Sequence, residues 1–108
     1  MRLEVCPVAV VEAPRHRVWA LLADWSTFAS WSGVELVRAE PPGPAAAEQR
    51  VTLRARGVGR SWPVRIEVIG VEAPARLAID VMTPFRVVNH EVVTLTATGA
   101  RQTLVRFN

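Results

Sequence analysis

Hydrophobic and polar residues alternate along most of the second half of the chain, and this two-residue period is typical of half-buried β-strands. The alternation is strict in residues 49–56, where apolar side chains alternate with arginine and threonine. It recurs in four later segments, each bounded by a short turn: 62–71, 76–82, 87–97 and 102–107. Together with a shorter apolar segment at 34–40, the pattern predicts an antiparallel meander with one buried face.

The first third of the chain has a different pattern. Residues 2–12 are extended in character, and Pro14 suits the first turn of a helix that continues to residue 23. Asp24 is a good N-cap for a second short helix, because its carboxylate can accept the backbone N–H three residues later. Gly33 can end that helix. The sequence therefore predicts an α+β fold in which one strand and two short helices precede six strands, giving a curved sheet of about seven strands.

Three of the four tryptophans lie six residues apart, as Trp19, Trp25 and Trp31. Six residues advance a helix by about 600°, so one continuous helix would spread these side chains around its circumference. A break at Asp24 lets all three point inward instead. We expect Trp19 to lie in the core and Trp25 to be core or half-exposed.

The composition fits a single domain over residues 1–108 and excludes a disordered chain, because half of the residues are hydrophobic. The net charge is +3, and all 13 basic residues are arginine. No apolar run approaches the roughly 18 residues of a membrane span, and the N-terminal segment resembles a strand more than a signal peptide. Cys6 is the only cysteine and is expected to be a buried, inert thiol. A cytoplasmic location is the default expectation.

The residues VVEAPRHRVWALLADWSTFASWSGV, at 10–34, resemble the opening signature of the START-like helix-grip superfamily, SRPBCC. The resemblance is strongest to its polyketide cyclase/dehydratase and lipid-transport branch. VEAPARLAI at 71–79 resembles that family's strand–turn–strand, and GARQTLVRF at 99–107 its last hairpin. The resemblance covers nearly the whole chain and implies a curved sheet whose concave face holds a hydrophobic ligand.

The chain departs from the family pattern after its last strand. Family members usually continue into a long C-terminal helix that closes the cavity, whereas this sequence stops at Asn108. An uncovered sheet face lined by Trp62, Ile66, Ile79 and Val92 would be a large exposed apolar patch. The expected consequence is a homodimer, a partner chain that covers the sheet, or aggregation, unless the two short helices fold further over the face.

Seven residues are the candidate ligand-binding set. The resemblance places Phe28 and Trp31 near the cavity mouth, and alternation places several others on the apolar face. The set is Phe28, Trp31, Trp62, Ile66, Ile79, Phe85 and His90.

His90 is the titratable member of this set, and its side of the strand depends on the last hairpin. If that turn has two central residues beginning at Gly99, Val92 faces Phe107, and His90 shares their side. We take this as the cavity side. The competing side, with Glu91, Val93, Leu95, Leu104 and Arg106, stays open, because a one-residue slip exchanges the two faces.

Other chemistries find little support in the sequence. Glu67 and Asp80 each lie opposite the apolar residues of their strands, and His16 is expected to face solvent. The two histidines and one cysteine have no metal-ligand spacing, so no metal site, catalytic set or cofactor is predicted. The arginines at 50, 54, 56 and 65 could bind phosphates, but such a row is more often the solvated face of a sheet, so nucleic acid is not the expected partner.

Three functions are compatible with these observations. The favoured one is binding of a small lipid- or polyketide-like molecule in the concavity of the sheet. The second is a cyclase or dehydratase, with His90 as the proton shuttle in a dry pocket. The third is a protein-interaction module that docks a partner through the open sheet face.

Overall fold

The computed structural model describes residues 8–57 and 59–107, with positions 31, 32, 57 and 85 described for the backbone only. These residues form one open, curved, antiparallel sheet of seven strands, with two helices after the first strand. The elements are β1 (Val8–Val11), α1 (Arg15–Ala23), α2 (Trp25–Ser32), β2 (Glu35–Glu40), β3 (Arg50–Gly57), β4 (Arg60–Glu72), β5 (Arg76–Thr83), a 3-10 turn (Pro84–Arg86), β6 (Val87–Gly99) and β7 (Gln102–Phe107). The predicted α+β architecture is confirmed.

The strand order across the sheet is β1-β7-β6-β5-β4-β3-β2. Each strand from β2 to β6 pairs with the next along the chain, and β1 pairs with β7 at the opposite edge from β2. Short turns between alternating segments favour this arrangement, because antiparallel neighbours need only a few connecting residues. The meander predicted from the hydrophobic pattern is therefore the observed one.

One face of the sheet, called the inner face below, packs against α1 and α2. It carries the buried side chains Val51, Leu53, Ile66, Val68, Leu77, Ile79, Val93, Leu95 and Val105, and the helices add Val18, Leu22 and Trp25 to the same cluster. Ile66 is 3% exposed and Ile79 is 7% exposed. The condition for an exposed apolar patch, an uncovered face, is therefore not met at these two residues, because they belong to one buried cluster with side chains of both helices.

The break between the two helices occurs at Asp24, as predicted. The Asp24 carboxylate accepts hydrogen bonds from the Ser26 hydroxyl at 2.6 Å and from the backbone N–H groups of Ser26 and Thr27 at 3.0 and 3.4 Å. Gly33 ends α2 with a φ of 79°, a conformation that a side chain disfavours.

No described helix combines the length and apolar character that crossing a membrane requires.

The cap predicts a small pH dependence of stability. The hydrogen bond from the Ser26 side chain, and then that from the Thr27 backbone, lower the pKa of Asp24. A carboxyl group with a lowered folded-state pKa stabilises the fold above its unfolded pKa, and this contribution disappears as pH falls through the folded value. We expect Asp24→Asn, which retains an acceptor oxygen, to show a weaker decline in thermal midpoint than the native chain between about pH 5 and about pH 2. Identical declines would contradict the assignment.

A buried amide connects α2 to the loop before β3. The Gln49 side chain is fully buried, and its Oε1 accepts the Trp25 indole N–H at 2.7 Å and the Ala46 backbone N–H at 3.3 Å. Its Nε2 donates to the carbonyl oxygens of Pro41 at 2.7 Å and Gly43 at 3.1 Å. The side chain thus uses two donors and two acceptor sites, which satisfies the hydrogen-bonding capacity of an amide.

The hairpin between β6 and β7 differs from the expected one. Ala100 and Arg101 occupy the turn, and the pairing shifts by one residue between Ala97 and Gly99. The net result is that Phe107 pairs with Val93. The expected pairing of Phe107 with Val92 is wrong, because the turn lies one position later and an irregularity follows it.

In this register, His90 and Val92 lie on the side of the sheet opposite the inner face, which we call the outer face. His90 pairs with Asp80 and Val92 with Ala78, while Glu91 pairs with the inner-face residue Ile79. Successive residues of a strand point to opposite faces. The prediction that His90 and Val92 point into the concavity is therefore wrong, and the competing side of β6 is the inner one.

Candidate functional site

A half-open hollow of about 320 Å³ lies between the two helices and the inner face, and we call it the inner hollow. Thirteen of the described residues line it: Leu22, Trp25, Phe28, Val34, Leu53, Val64, Ile66, Leu77, Ile79, Val81, Glu91, Val93 and Phe107. Twelve of them are apolar. A concave surface of this composition is suited to an apolar molecule, because burying the molecule there removes hydrophobic surface from water.

A second apolar hollow of about 370 Å³ adjoins the first at the β1 edge of the sheet. Val11, Val18 and Val105 are among its lining residues, and it shares Leu22 and Phe107 with the inner hollow. The two shared side chains therefore lie where the spaces meet. A ligand longer than the inner hollow could extend past them along the sheet.

The helix side of the inner hollow depends on Trp25 and Phe28. Their rings meet edge to face, with centroids 5.8 Å apart and planes inclined by 68°. This is a favourable aromatic geometry. Gln49 binds the indole N–H of Trp25, so the tryptophan contributes apolar ring surface to the hollow and its donor is already used.

The structure brings three predicted site residues together. Phe28, Ile66 and Ile79 all line the inner hollow. Trp62 lies on the same side of β4 as Ile66 but outside this lining, with the Arg60 guanidinium 4.9 Å from its ring centroid. That distance is within the range of a cation–π contact.

Two further predicted site residues lie outside the part of the chain whose side chains are described. Trp31 belongs to α2, and Phe85 belongs to the 3-10 turn before β6. Their role in ligand binding stays a prediction.

His90 does not reach the inner hollow. It lies on the outer face, where its side chain is 80% exposed and its Nδ1 contacts the carboxylate of Asp80. Asp80 on β5 also pairs with Glu67 on β4, so Glu67 lies on the outer face as well. A proton shuttle must lie within hydrogen-bond reach of the reacting group, so this position does not support His90 as the acid or base of a reaction in the hollow.

The ionisable residue that does line the inner hollow is Glu91. In the sequence, Glu91 belongs to the competing side of β6. The signal available in the sequence was that this side carries Val93 and Leu95 in succession, whereas the other side carries Val92 followed by Thr94. Two neighbouring inward apolar residues would have favoured the correct side.

The outer face carries the arginines that the strand pattern placed there. Arg50, Arg54, Arg56 and Arg65 are exposed. Two of them face acidic residues on neighbouring strands: Arg50 pairs with Glu67, and the Arg54 guanidinium lies 3.9 Å from the Glu35 carboxylate. Mixed charges of this kind fit the solvated face that was expected. Within the described residues, no three His, Cys, Asp or Glu side chains are grouped as a metal site would require.

Comparison with known proteins gives a family match over almost the whole chain. The family model for polyketide cyclase/dehydrase and lipid transport matches residues 3–108. A search of curated proteins found no significant match.

Several solved structures share the fold. Protein Ms6760 from Mycobacterium smegmatis is 19% identical with a TM-score of 0.75, and a protein from Arthrobacter aurescens is 18% identical with a TM-score of 0.78. DynU16, from the dynemicin biosynthetic locus, is 25% identical with a TM-score of 0.69. The alignments cover 95%, 94% and 95% of this chain, and 70%, 64% and 35% of those proteins, respectively.

Proposed function

The chain belongs to the polyketide cyclase/dehydrase and lipid-transport family, and from this premise we propose that it binds a small hydrophobic molecule in the inner hollow. The observation that carries the proposal is the lining, in which twelve of thirteen residues are apolar. The volume of about 320 Å³ lies at the lower end of the range for small-molecule sites. A lipid- or polyketide-like compound with a compact apolar body fits this description.

Burial of the ligand would supply the binding free energy. Each 100 Å² of apolar surface removed from water contributes about 2.5 kcal/mol, and association itself costs several kcal/mol. A ligand that buries about 300 Å² gains about 7.5 kcal/mol, and after an association cost of about 4 kcal/mol the expected Kd is in the millimolar range. Such affinity is appropriate for a carrier that must also release its cargo.

No described feature favours the cyclase alternative over binding. That alternative relied on His90 as a proton shuttle, and His90 lies on the face away from the hollow. The interaction module required an uncovered sheet face, and residues at the centre of that face are buried. Simple binding needs only the apolar hollow.

Filling the mouth of the hollow should prevent binding. Val81 on β5 lines the hollow and is half-buried, so a bulky ring there can enter the cavity without replacing a fully buried side chain. We expect Val81→Trp to weaken binding of the apolar dye Nile red by at least about tenfold, as measured by fluorescence titration. The cause is exclusion of the dye from the occupied space.

The matched control is Val88→Trp, which adds the same ring to an exposed position that pairs with Met82 on the outer face. This variant should bind Nile red as the native chain does, and circular dichroism should show that both variants are folded. Equal binding by native chain, Val81→Trp and Val88→Trp would reject the inner hollow as the site. Native mass spectrometry of freshly purified protein would then report any bound small molecule and the oligomeric state together.

A further inference from the structure

We propose that Glu91 selects the head group of the ligand, so that the inner hollow prefers apolar molecules that carry a hydrogen-bond donor or a positive charge over those that carry a carboxylate. The inference rests on the proposed binding function and adds the class of ligand to it. It starts from the composition of the lining, in which Glu91 is the single polar residue among thirteen.

The position of Glu91 along β6 places it at the open end of the hollow. From Leu95 towards the start of β6, the inner-face residues change from buried to exposed: Leu95 and Val93 are buried, whereas Glu91 and the next inner-face residue, Asn89, are exposed. The paired residues on β5 follow the same gradient, from buried Leu77 to half-buried Val81. The carboxylate therefore lies at the mouth, with the apolar interior behind it.

The Glu91 side chain is available to a ligand. Among the described residues, no ion pair or hydrogen bond engages it, whereas the indole N–H of Trp25, which also lines the hollow, donates to Gln49. An ionised carboxylate can only accept hydrogen bonds. A hydroxyl or ammonium group at the mouth would donate to it, while a second carboxylate would be repelled.

These observations define the orientation of the ligand. The apolar body lies towards Leu22 and Trp25, where none of the described lining residues has an unsatisfied side-chain donor or acceptor, and the head lies beside Glu91. The expected ligands are long-chain alcohols and amines or other molecules of the same amphiphilic chemistry. Ionised fatty acids are the class that the site disfavours.

The test compares three ligands with one hydrocarbon chain, n-decylamine, n-decanol and n-decanoate, by displacement of Nile red from the intact chain below their micelle-forming concentrations. We expect the native chain to bind n-decylamine about tenfold more tightly than n-decanoate, with n-decanol between them. Glu91→Gln should bring the affinities for the amine and the carboxylate within about threefold of each other.

Glu67→Gln is the matched control, because it removes the same charge from the outer face of β4 and should retain the native preference. The inference is overturned if the native chain binds n-decanoate as tightly as n-decylamine, or if Glu91→Gln keeps the native preference. In either case, displacement of Nile red by all three ligands would leave the proposed binding function supported. If none of the three displaces the dye, both the binding function and the inference fail.

Discussion

Replacing Gln49 with methionine is expected to lower the free energy of unfolding by about 3 kcal/mol. Methionine has a similar length and can occupy the same buried space, but it cannot form the hydrogen bonds of the amide. The buried indole N–H of Trp25 would lose its acceptor, which lies 2.7 Å away in the native chain. An unsatisfied buried donor costs about 1–3 kcal/mol, and the carbonyl oxygens of Pro41 and Gly43 would lose a donor as well.

The effect should extend beyond stability, because Gln49 connects two parts of the fold. It links α2, which carries Trp25, to the loop that precedes β3. Since Trp25 forms part of the inner hollow, loosening this link should also weaken Nile red binding in the folded variant. Urea denaturation with linear extrapolation measures the stability change directly.

Gln102, the other glutamine of the chain, provides the control. Its side chain accepts a hydrogen bond from the Thr98 hydroxyl at 3.0 Å in an exposed position. Gln102→Met should therefore cost less than about 0.5 kcal/mol, because water can replace the lost partner. A cost for Gln49→Met no larger than that for Gln102→Met would show that the buried amide does not anchor α2.

Truncating Leu53 to alanine is expected to lower the free energy of unfolding by about 3 kcal/mol. Leu53 is 2% exposed on β3, belongs to the main core cluster and lines the inner hollow. The variant loses the transfer free energy of the removed methyl groups, and the enlarged cavity adds to this cost. Urea denaturation gives the change in stability.

Leu104→Ala is the matched comparison, since Leu104 is half-buried and pairs with Thr96 on the outer face of the sheet. We expect a cost of about 1 kcal/mol there, because solvent already contacts the side chain. Equal costs at the two leucines would mean that the inner face is not the principal core.

The two core variants also address ligand binding. Space created by Leu53→Ala adjoins the inner hollow, so a bulkier apolar ligand should stabilise this variant more than it stabilises the native chain. Leu104→Ala should show no such gain. The pair therefore separates a general loss of stability from a change in the cavity.

Much of the fold could be predicted from local patterns. Alternation in residues 49–56 placed Val51 and Leu53 on the buried side, and both are buried in the structure. Asp24 and Gly33 bound the second helix as their chemistry suggested. These features depend on neighbours within a few residues, so they can be predicted from the local sequence.

The candidate site was predictable only in part. Phe28, Ile66 and Ile79 were correctly grouped, because helix and strand periodicity places them on apolar faces. Gln49 was not singled out, although it lies two residues before Val51 and so falls on the same side of the alternation. Its partner Trp25 lies 24 residues away, and no local pattern connects the two.

The sequence alone determined which residues form strands and helices and how many strands there are. It also determined which alternate residues of each strand are apolar. These features follow from side-chain chemistry and short-range periodicity. Only the tertiary structure decided which side of β6 faces the hollow. A one-residue shift between Ala97 and Gly99 exchanges the faces, so Glu91 lies inward and His90 outward. The reason is that a strand's side chains alternate with a period of two, and the register depends on a turn whose geometry is stabilised by the packing of the whole sheet.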